Sequence, residues 1–542
     1  MSQRLQFLAS HRFSAQRRRL LILATASAAP IGGCGGGGGG GAALPGPPFV
    51  QVGTVPAPGV SGPAWWAFGR DAQHAANSAI GAQALNRIAW ATPVDLSPQY
   101  SAGGSLLIHY GSPVVSAFNT VLVPVKTGEA GGFRIEARSG GNGGLVWSTD
   151  SDYVLPPHQW VPSYNLALGL GNRLHAPGAG GKLLLRDNVD AASARIETAV
   201  FYGAAAYAAA PAAFDASVFI NTPITVDSHG NVFFGFLATG ANPAGLASGV
   251  ARIGADGVGR WVAASAAAAD SAISKVAMNC APALSPDLGT LYVAVNTTAG
   301  GTTQTGYLLA LDSATLAVKG KAALLDPDSG APAQVSDNST ASPTVGPDCA
   351  VFFGVLESSL GAHNGRGWLL HFDATLGARR VPGGFGWDHT ASIVPASMLP
   401  SYSGASSYLL MSKYNNYLGL GSGDGLNRVA VLDPGASQVD AISGRPILRE
   451  VLTLLGPTRE PGTAAAVIEW CINTAAVDPL TRSILVNSED GYLYRWDLDT
   501  HTVSQRIRLT SGVAESYTPT AIGADGAVLA INNAVLFSIT ST

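Results

Sequence analysis

A unit of sequence that recurs along most of the chain limits the fold more than any other feature. Each copy reads as a small or polar residue, Pro, two or three apolar residues, a short Asp/Gly turn and an alternating apolar strand. It is GSPVVSAFNTVLVPV from Gly111, NTPITVDSHGNVFFGF from Asn221, CAPALSPDLGTLYVAV from Cys280, ASPTVGPDCAVFFGV from Ala341 and YTPTAIGADGAVLAI from Tyr517. Looser copies start near Thr390 and Asn473, and a degenerate one near Ala176. Period-2 alternation broken by a tight turn reads as a β-hairpin. A second hairpin follows in most units, as in FRIEARSGGNGGLVW, GVARIGADGVGRW, YLLALDSATLAV and YLYRWDLDT. Two hairpins make a four-stranded blade, and blades repeated around an axis leave only short, protected sheet edges. The chain ends on a half-unit, Tyr517 to Thr540, and its regular part begins with an orphan strand, LNRIAW, ending at Trp90. Pairing the two closes the ring. The predicted fold is all-β, a single β-propeller of about eight four-stranded blades closed by the N- and C-terminal strands.

The N-terminus predicts export. Residues 1–33 carry five Arg and no acid, and QRRRLLILATASAAPIGGC from Gln16 has the cationic start, short apolar core and small residues of a secretory signal. Its end, Ile31-Gly32-Gly33-Cys34, resembles a bacterial lipobox, which makes Cys34 the lipidation residue. Several acyl chains together hold a protein stably on a membrane. Gln16-Arg17-Arg18-Arg19-Leu20-Leu21 also resembles a twin-arginine signal. An unbroken glycine run, Gly35 to Gly41, continues into a Pro-rich stretch, a composition that makes a flexible tether. The expected layout is a signal peptide at 1–33, a tether at 34–63 and the propeller at 64–542. The expected location is a lipid anchor in the bacterial envelope, in the outer membrane facing the periplasm or the cell surface.

Beyond residue 33 the chain holds 26 basic and 35 acidic side chains. Phosphate-backbone binding needs a basic stripe, and none is present, so nucleic acid is not an expected partner.

Two strings carry a family resemblance. Ala251, Gly257 and Trp261 in ARIGADGVGRW, and Ala137, Gly143 and Trp147 in ARSGGNGGLVW, fit the docking repeat Ala-x-Asp-x-x-x-Gly-x-x-x-Trp of the pyrroloquinoline-quinone (PQQ) dehydrogenase propellers. Ile253 and Ser139 replace the Asp, while ALDSATLAVKG keeps it as Asp312 and loses the Trp. The resemblance covers Trp65 to Thr542 at the level of fold and implies indoles lying flat between blades. For a PQQ enzyme it also implies a ring of two adjacent half-cystines, a Ca²⁺ held by Glu, Asn and Asp, and an Asp base. No Cys-Cys pair occurs in this chain. Neither PQQ nor Ca²⁺ is therefore expected, and dehydrogenase activity is disfavoured. The anchor-plus-propeller layout also resembles the lipoprotein subunit of the outer-membrane barrel-assembly machine, though no local motif carries that likeness.

Other catalytic signatures are missing. There is no CxxCH, GxSxG or HExxH, and PGAGGKLLL fails as a phosphate loop because Leu183 stands where Ser or Thr must hold Mg²⁺. Asp424 in GLGSGDGLN is a thin ligand set for Ca²⁺ and reads as a plain loop. Cys280, Cys349 and Cys471 permit one disulfide with a free thiol, or three buried thiols.

The segments just before each innermost strand converge on the axis of a propeller. They carry His109-Tyr110, Asn221, Asn279, Asp337-Asn338, Trp387-Asp388-His389, Glu469-Trp470-Cys471 and Glu515. These groups either hold a small polar ligand or metal there or bond backbone between blades. The candidate axial site is His109, Asp388, His389, Glu469 and Cys471, with His389 beside two carboxylates expected either to have a raised pKa or to act as a metal ligand, and no particular metal assigned. The expected function is a binding or scaffolding module with a protein partner or small polar ligand, the alternative an envelope oxidoreductase or hydrolase.

Overall fold

The structure is a computed structural model that describes residues 64–100, 106, 110–158, 162, 164–297, 304–335, 337, 341–511 and 515–542. Cys34, the signal peptide, the tether and His109 lie outside the described residues.

Alternation and tight turns produce eight sheets set around one axis, so the propeller has eight blades. Blade 1 runs from Val114 to Ser151, blade 2 from Ala167 to Val200, blade 3 from Val218 to Ala263 and blade 4 from Ile273 to Ala323. Blade 5 starts at Thr344, blade 6 runs from Ser392 to Leu455, blade 7 from Ala476 to Arg508, and blade 8 starts at Ala521. Blade 5 has three regular strands, and its outer position is filled by isolated bridges, Leu369 to Gly383 and Phe372 to Arg379. The ring closes as the two half-units predict. Arg87–Pro93 pairs antiparallel with Val535–Thr540, with Arg87 opposite Thr540 and Trp90 opposite Ser538.

The unit near Ala176 is real but its expected register is not. That string spans the second and third strands, Arg173–Pro177 and Lys182–Arg186, and the innermost strand is Ala167–Gly169.

Burial falls outward along each blade. In blade 7 every residue of Ser483–Asn487 is buried, whereas Thr502–Arg508 alternates exposed and half-buried. The core therefore lies between the faces of neighbouring blades. Trp147 docks across such a gap, donating to the Val189 carbonyl of blade 2 at 2.7 Å with the Arg186 guanidinium 4.0 Å above its ring. Trp90 does the same from blade 8, donating to Gly140 at 2.7 Å. A side chain at Gly143 would strike the Trp90 ring, and its φ of +71° suits glycine. Trp261 departs from the docking pattern: it stands 37% exposed, edge-on to Phe236 of its own blade. The docking-repeat Asp folds the outer turn instead of touching an indole. Asp312 accepts from the Thr315 amide and hydroxyl, and Asp497 from those of Thr500.

Hydroxyls on the innermost strands join blade to blade. Thr225 donates to the Pro282 carbonyl, Thr344 to Ala391 and Ser392 to Ala475. A second connector, not foreseen from sequence, is the segment from Trp65 to Gln83. Its carbonyls and amides bond in turn to Val115, Leu168, Leu284, Val345, Ile393, Val477 and Gly526, touching the inner edges of blades 1, 2, 4, 5, 6, 7 and 8. This strap curves tightly enough to need left-handed backbone at Arg70, His74 and Ala76.

Candidate functional site

The lead-in segments of blades 6, 7 and 8 meet at the axis, on the N-terminal side of the level where the strap crosses Ile393 and Val477. Asp388 sits there in left-handed conformation, φ +49°, which turns the chain into Ser392. Its carboxylate pairs with the Lys413 ammonium, which reaches in from the second strand of blade 6. Lys413 also stands 5.2 Å from the Tyr517 ring and 5.6 Å from Phe385. Tyr517 donates to the Asp388 carbonyl, joining blade 8 to blade 6. From blade 7, Glu469 lies within electrostatic reach of Asp388 and of the Tyr417 hydroxyl. Cys471 Sγ is 3.5 Å from Glu515 Oε1, and Ser516 donates to the Cys471 carbonyl at 2.6 Å.

The electrostatics follow from burial. Asp388 is pushed up to about 6, chiefly by desolvation; Lys413 pulls it back and Glu469 pushes it up again. The Tyr417 hydroxyl is raised well above its ordinary value by burial and by the nearby Glu469 and Asp388 charges. Asp388, Glu469 and the Tyr417 hydroxyl thus sense one another in a buried region, while Glu515 lies against Cys471 and within electrostatic reach of Tyr110.

His389 does not belong to this group. It is fully buried, and its Nε2 accepts the Lys413 backbone N–H at 3.2 Å. The expectation of a raised pKa is overturned: desolvation, followed by the Lys413 charge, lowers it to about 3, so the ring is neutral. Sequence adjacency to Asp388 misled because the two side chains leave the backbone in different directions. The alternative reading, inter-blade bonding, holds for Asn221, which donates to the Val276 carbonyl at 2.9 Å, and for Asn279, which donates to the Asp337 carbonyl. Asp424 is likewise occupied by Asn416 and the Leu426 amide, as a plain loop requires.

Sequence reasoning missed Lys413, Tyr417 and Tyr517. A signal for Lys413 existed: it is the one charge in YLLMSKY, a strand buried at every position. Lys126 and Lys275 repeat the pattern, each buried and paired, with Asp95 at 3.2 Å and Asp337 at 2.6 Å.

The residues present do not fit the quinone site that the resemblance implies. Cys280 and Cys471 are buried thiols in different blades and neither is in a disulfide, whereas Cys349 is half of one, so neither expected arrangement, one bridge among these three or three buried thiols, is the one present. Among the described residues no three His, Cys, Asp or Glu side chains are grouped to hold a metal ion.

No family model matches the chain, and no curated protein matches it. Solved structures do. A europium-containing methanol dehydrogenase aligns with a TM-score of 0.53 at 11% identity, over 86% of this chain and 89% of that one. A quinohemoprotein alcohol dehydrogenase from Comamonas testosteroni aligns at 0.54 and 12% identity, over 88% of this chain and 80% of that one. One from Pseudomonas putida aligns at 0.50 and 12%, with the same coverage of 88% and 80%. Likeness at such identity speaks for architecture alone, and the architecture it establishes is that of an eight-bladed PQQ-like propeller, the fold of the quinoprotein alcohol dehydrogenases.

Proposed function

We propose that this protein is a cell-envelope lipoprotein whose propeller is a binding or scaffolding module, with its ligand site at the axial mouth formed by blades 6, 7 and 8. The observation that carries the reading is the convergence of Asp388, Glu469, Cys471 and Glu515 on one buried region that has no adjacent half-cystines. The lipobox-like residues and glycine run support the anchor at Cys34. The lack of any Cys-Cys pair in the sequence supports the reading against a quinone dehydrogenase.

Two measurements test it. Purified protein supplied with PQQ and Ca²⁺ should show no dye-linked oxidation of primary alcohols or aldose sugars and no quinone absorbance; saturable activity at micromolar cofactor overturns the reading. Cys34→Ala should move the protein from the membrane to the soluble fraction, and retention after a salt wash would place the anchor elsewhere.

A further inference from the structure

Where blade 4 meets blade 5, an amine, a carboxamide and a carboxylate are held in mutual contact. Lys275 and Asn296 stand opposite each other in the antiparallel pairing of Ile273–Val276 with Thr290–Thr297, two neighbouring strands of blade 4. Side chains directly opposed in such a pair share one face of the sheet and lie within reach of each other. Lys275 Nζ donates to Asn296 Oδ1 at 2.8 Å and to Asp337 Oδ1 at 2.6 Å. The same Asp337 oxygen accepts from Asn296 Nδ2 at 3.1 Å. All three side chains are buried. Lys126 pairs with an acid as well, but its other acceptor is the Ser97 backbone carbonyl, and Lys413 pairs with Asp388 between two aromatic rings.

We propose that Lys275 and Asn296 are the site of an intramolecular amide cross-link, formed by the chain itself with Asp337 as the proton carrier, that staples two strands of blade 4. The site lies apart from the blade 6 to 8 mouth and does not depend on what that mouth binds. A proton crossing from Nζ to Asp337 Oδ1 turns the ion pair into a neutral amine and a carboxylic acid, the way an adjacent base frees an amine nucleophile. Nζ then attacks Asn296 Cγ. Asp337 gives its proton to Nδ2 and takes another from Nζ, a relay that one oxygen can serve because it touches both nitrogens. The Cγ–Nδ2 bond breaks, and ammonia departs with the proton left on Asp337. The products are a secondary amide joining Nζ to Cγ, ionised Asp337 and ammonium, so atoms and charge balance with no oxidant, metal or other reactant. Fixed placement of the two reacting groups supplies what a collision would otherwise have to. Gln304 at 3.2 Å and the Met278 amide at 3.3 Å continue to hold the Asp337 carboxylate afterwards.

Tryptic mapping of the purified full chain by mass spectrometry tests this. Trypsin cuts after Lys275 while its ammonium is free and not once it is acylated. The cross-linked chain should give one fragment from Trp261 to Lys319, lighter by one ammonia than its sequence requires, with fragment ions that join Lys275 to Asn296. Asn296→Ala and Asp337→Asn should each restore cleavage after Lys275, whereas Asp337→Glu, which keeps the carboxylate, should retain the cross-link. Full cleavage after Lys275 in the wild type, with no ammonia lost, overturns the proposal, and this outcome is read without any variant having to fold. Ammonia lost while cleavage after Lys275 persists would be a cyclic imide at Asn296 and overturns it too. A cross-link that survives Asp337→Asn overturns the relay through Asp337.

Discussion

Asp337 and Asp388 stand at comparable places, each in the segment leading into an innermost strand and each buried against a lysine. Their surroundings differ. Asp337 accepts from Lys275 at 2.6 Å, Asn296 at 3.1 Å, Gln304 at 3.2 Å and the Met278 amide at 3.3 Å. Burial alone would raise its pKa, but Lys275 and these donors outweigh burial and leave it lowered. Asp388 has Lys413 and a second acid nearby, and is left raised, to about 6. Burial is the same in kind, so the number of donors decides which carboxylate is content to stay ionised. A saturated acid ties blades together. One left short of donors stays closer to its neutral form, as Asp388 does.

The largest expected effect comes from breaking the saturated pair. Lys275→Met leaves Asp337 without its counter-charge and should cost about 3–5 kcal/mol, read from denaturant unfolding at pH 7. A cost below that of any change at Lys413 would invert the comparison.

Next comes the pH profile. Asp388 is raised in the folded state, so it binds a proton more readily folded than unfolded. Folding is therefore favoured at low pH, and stability is lost as pH climbs from about 4 to about 6, by about 3 kcal/mol relative to Asp388→Asn. Asp337 has the opposite sign: its contribution is present above about pH 4 and is lost as pH falls through the lowered folded value. Unfolding curves of both Asn variants between pH 3 and 8 give the two slopes, and parallel slopes would show the acids to be equivalent.

Smaller still is Lys413→Met. An acid near pKa 6 can neutralise itself by taking up a proton, and at pH 7 that costs only about 1–2 kcal/mol. The chemical denaturation midpoint should shift by less than half the Lys275→Met shift.

Most of the ring was legible because its signals are local. Pro223, Pro282 and Pro343 mark successive units, Asp-Gly turns break the alternation, and the half-units at Trp90 and Thr540 announce their own pairing. Blade 2 was misregistered because its innermost strand, Ala167–Gly169, ends in glycine and has no Pro anchor. The strap was illegible for a different reason. Its left-handed positions are Arg70, His74 and Ala76, residue types that carry no turn signature, and only contact with seven blades holds them there. At the site, the lead-in segments could be placed at the axis from the repeat alone. Which way His389 turns, and that Lys413 comes up to meet Asp388, depend on packing between strands distant in sequence.

Glu469→Gln should have the smallest effect on stability and the clearest effect on its neighbour. The carboxylate has no hydrogen bond to lose among the described residues, and an amide of the same shape fills the same space. The variant also removes a negative charge that works against ionisation of Asp388. Gains and losses nearly offset, so the unfolding free energy should stay within about 0.5 kcal/mol of wild type. The Asp388 carboxyl, followed by carbon NMR, should meanwhile titrate at lower pH than in the wild type, because desolvation then acts with one fewer like charge. The matching change beside Asp337, Gln304→Glu, places a charge near an acid that is already saturated and should destabilise the fold instead. If Glu469→Gln leaves the Asp388 titration where it was, the two carboxylates do not sense each other and the mouth is not a single electrostatic site.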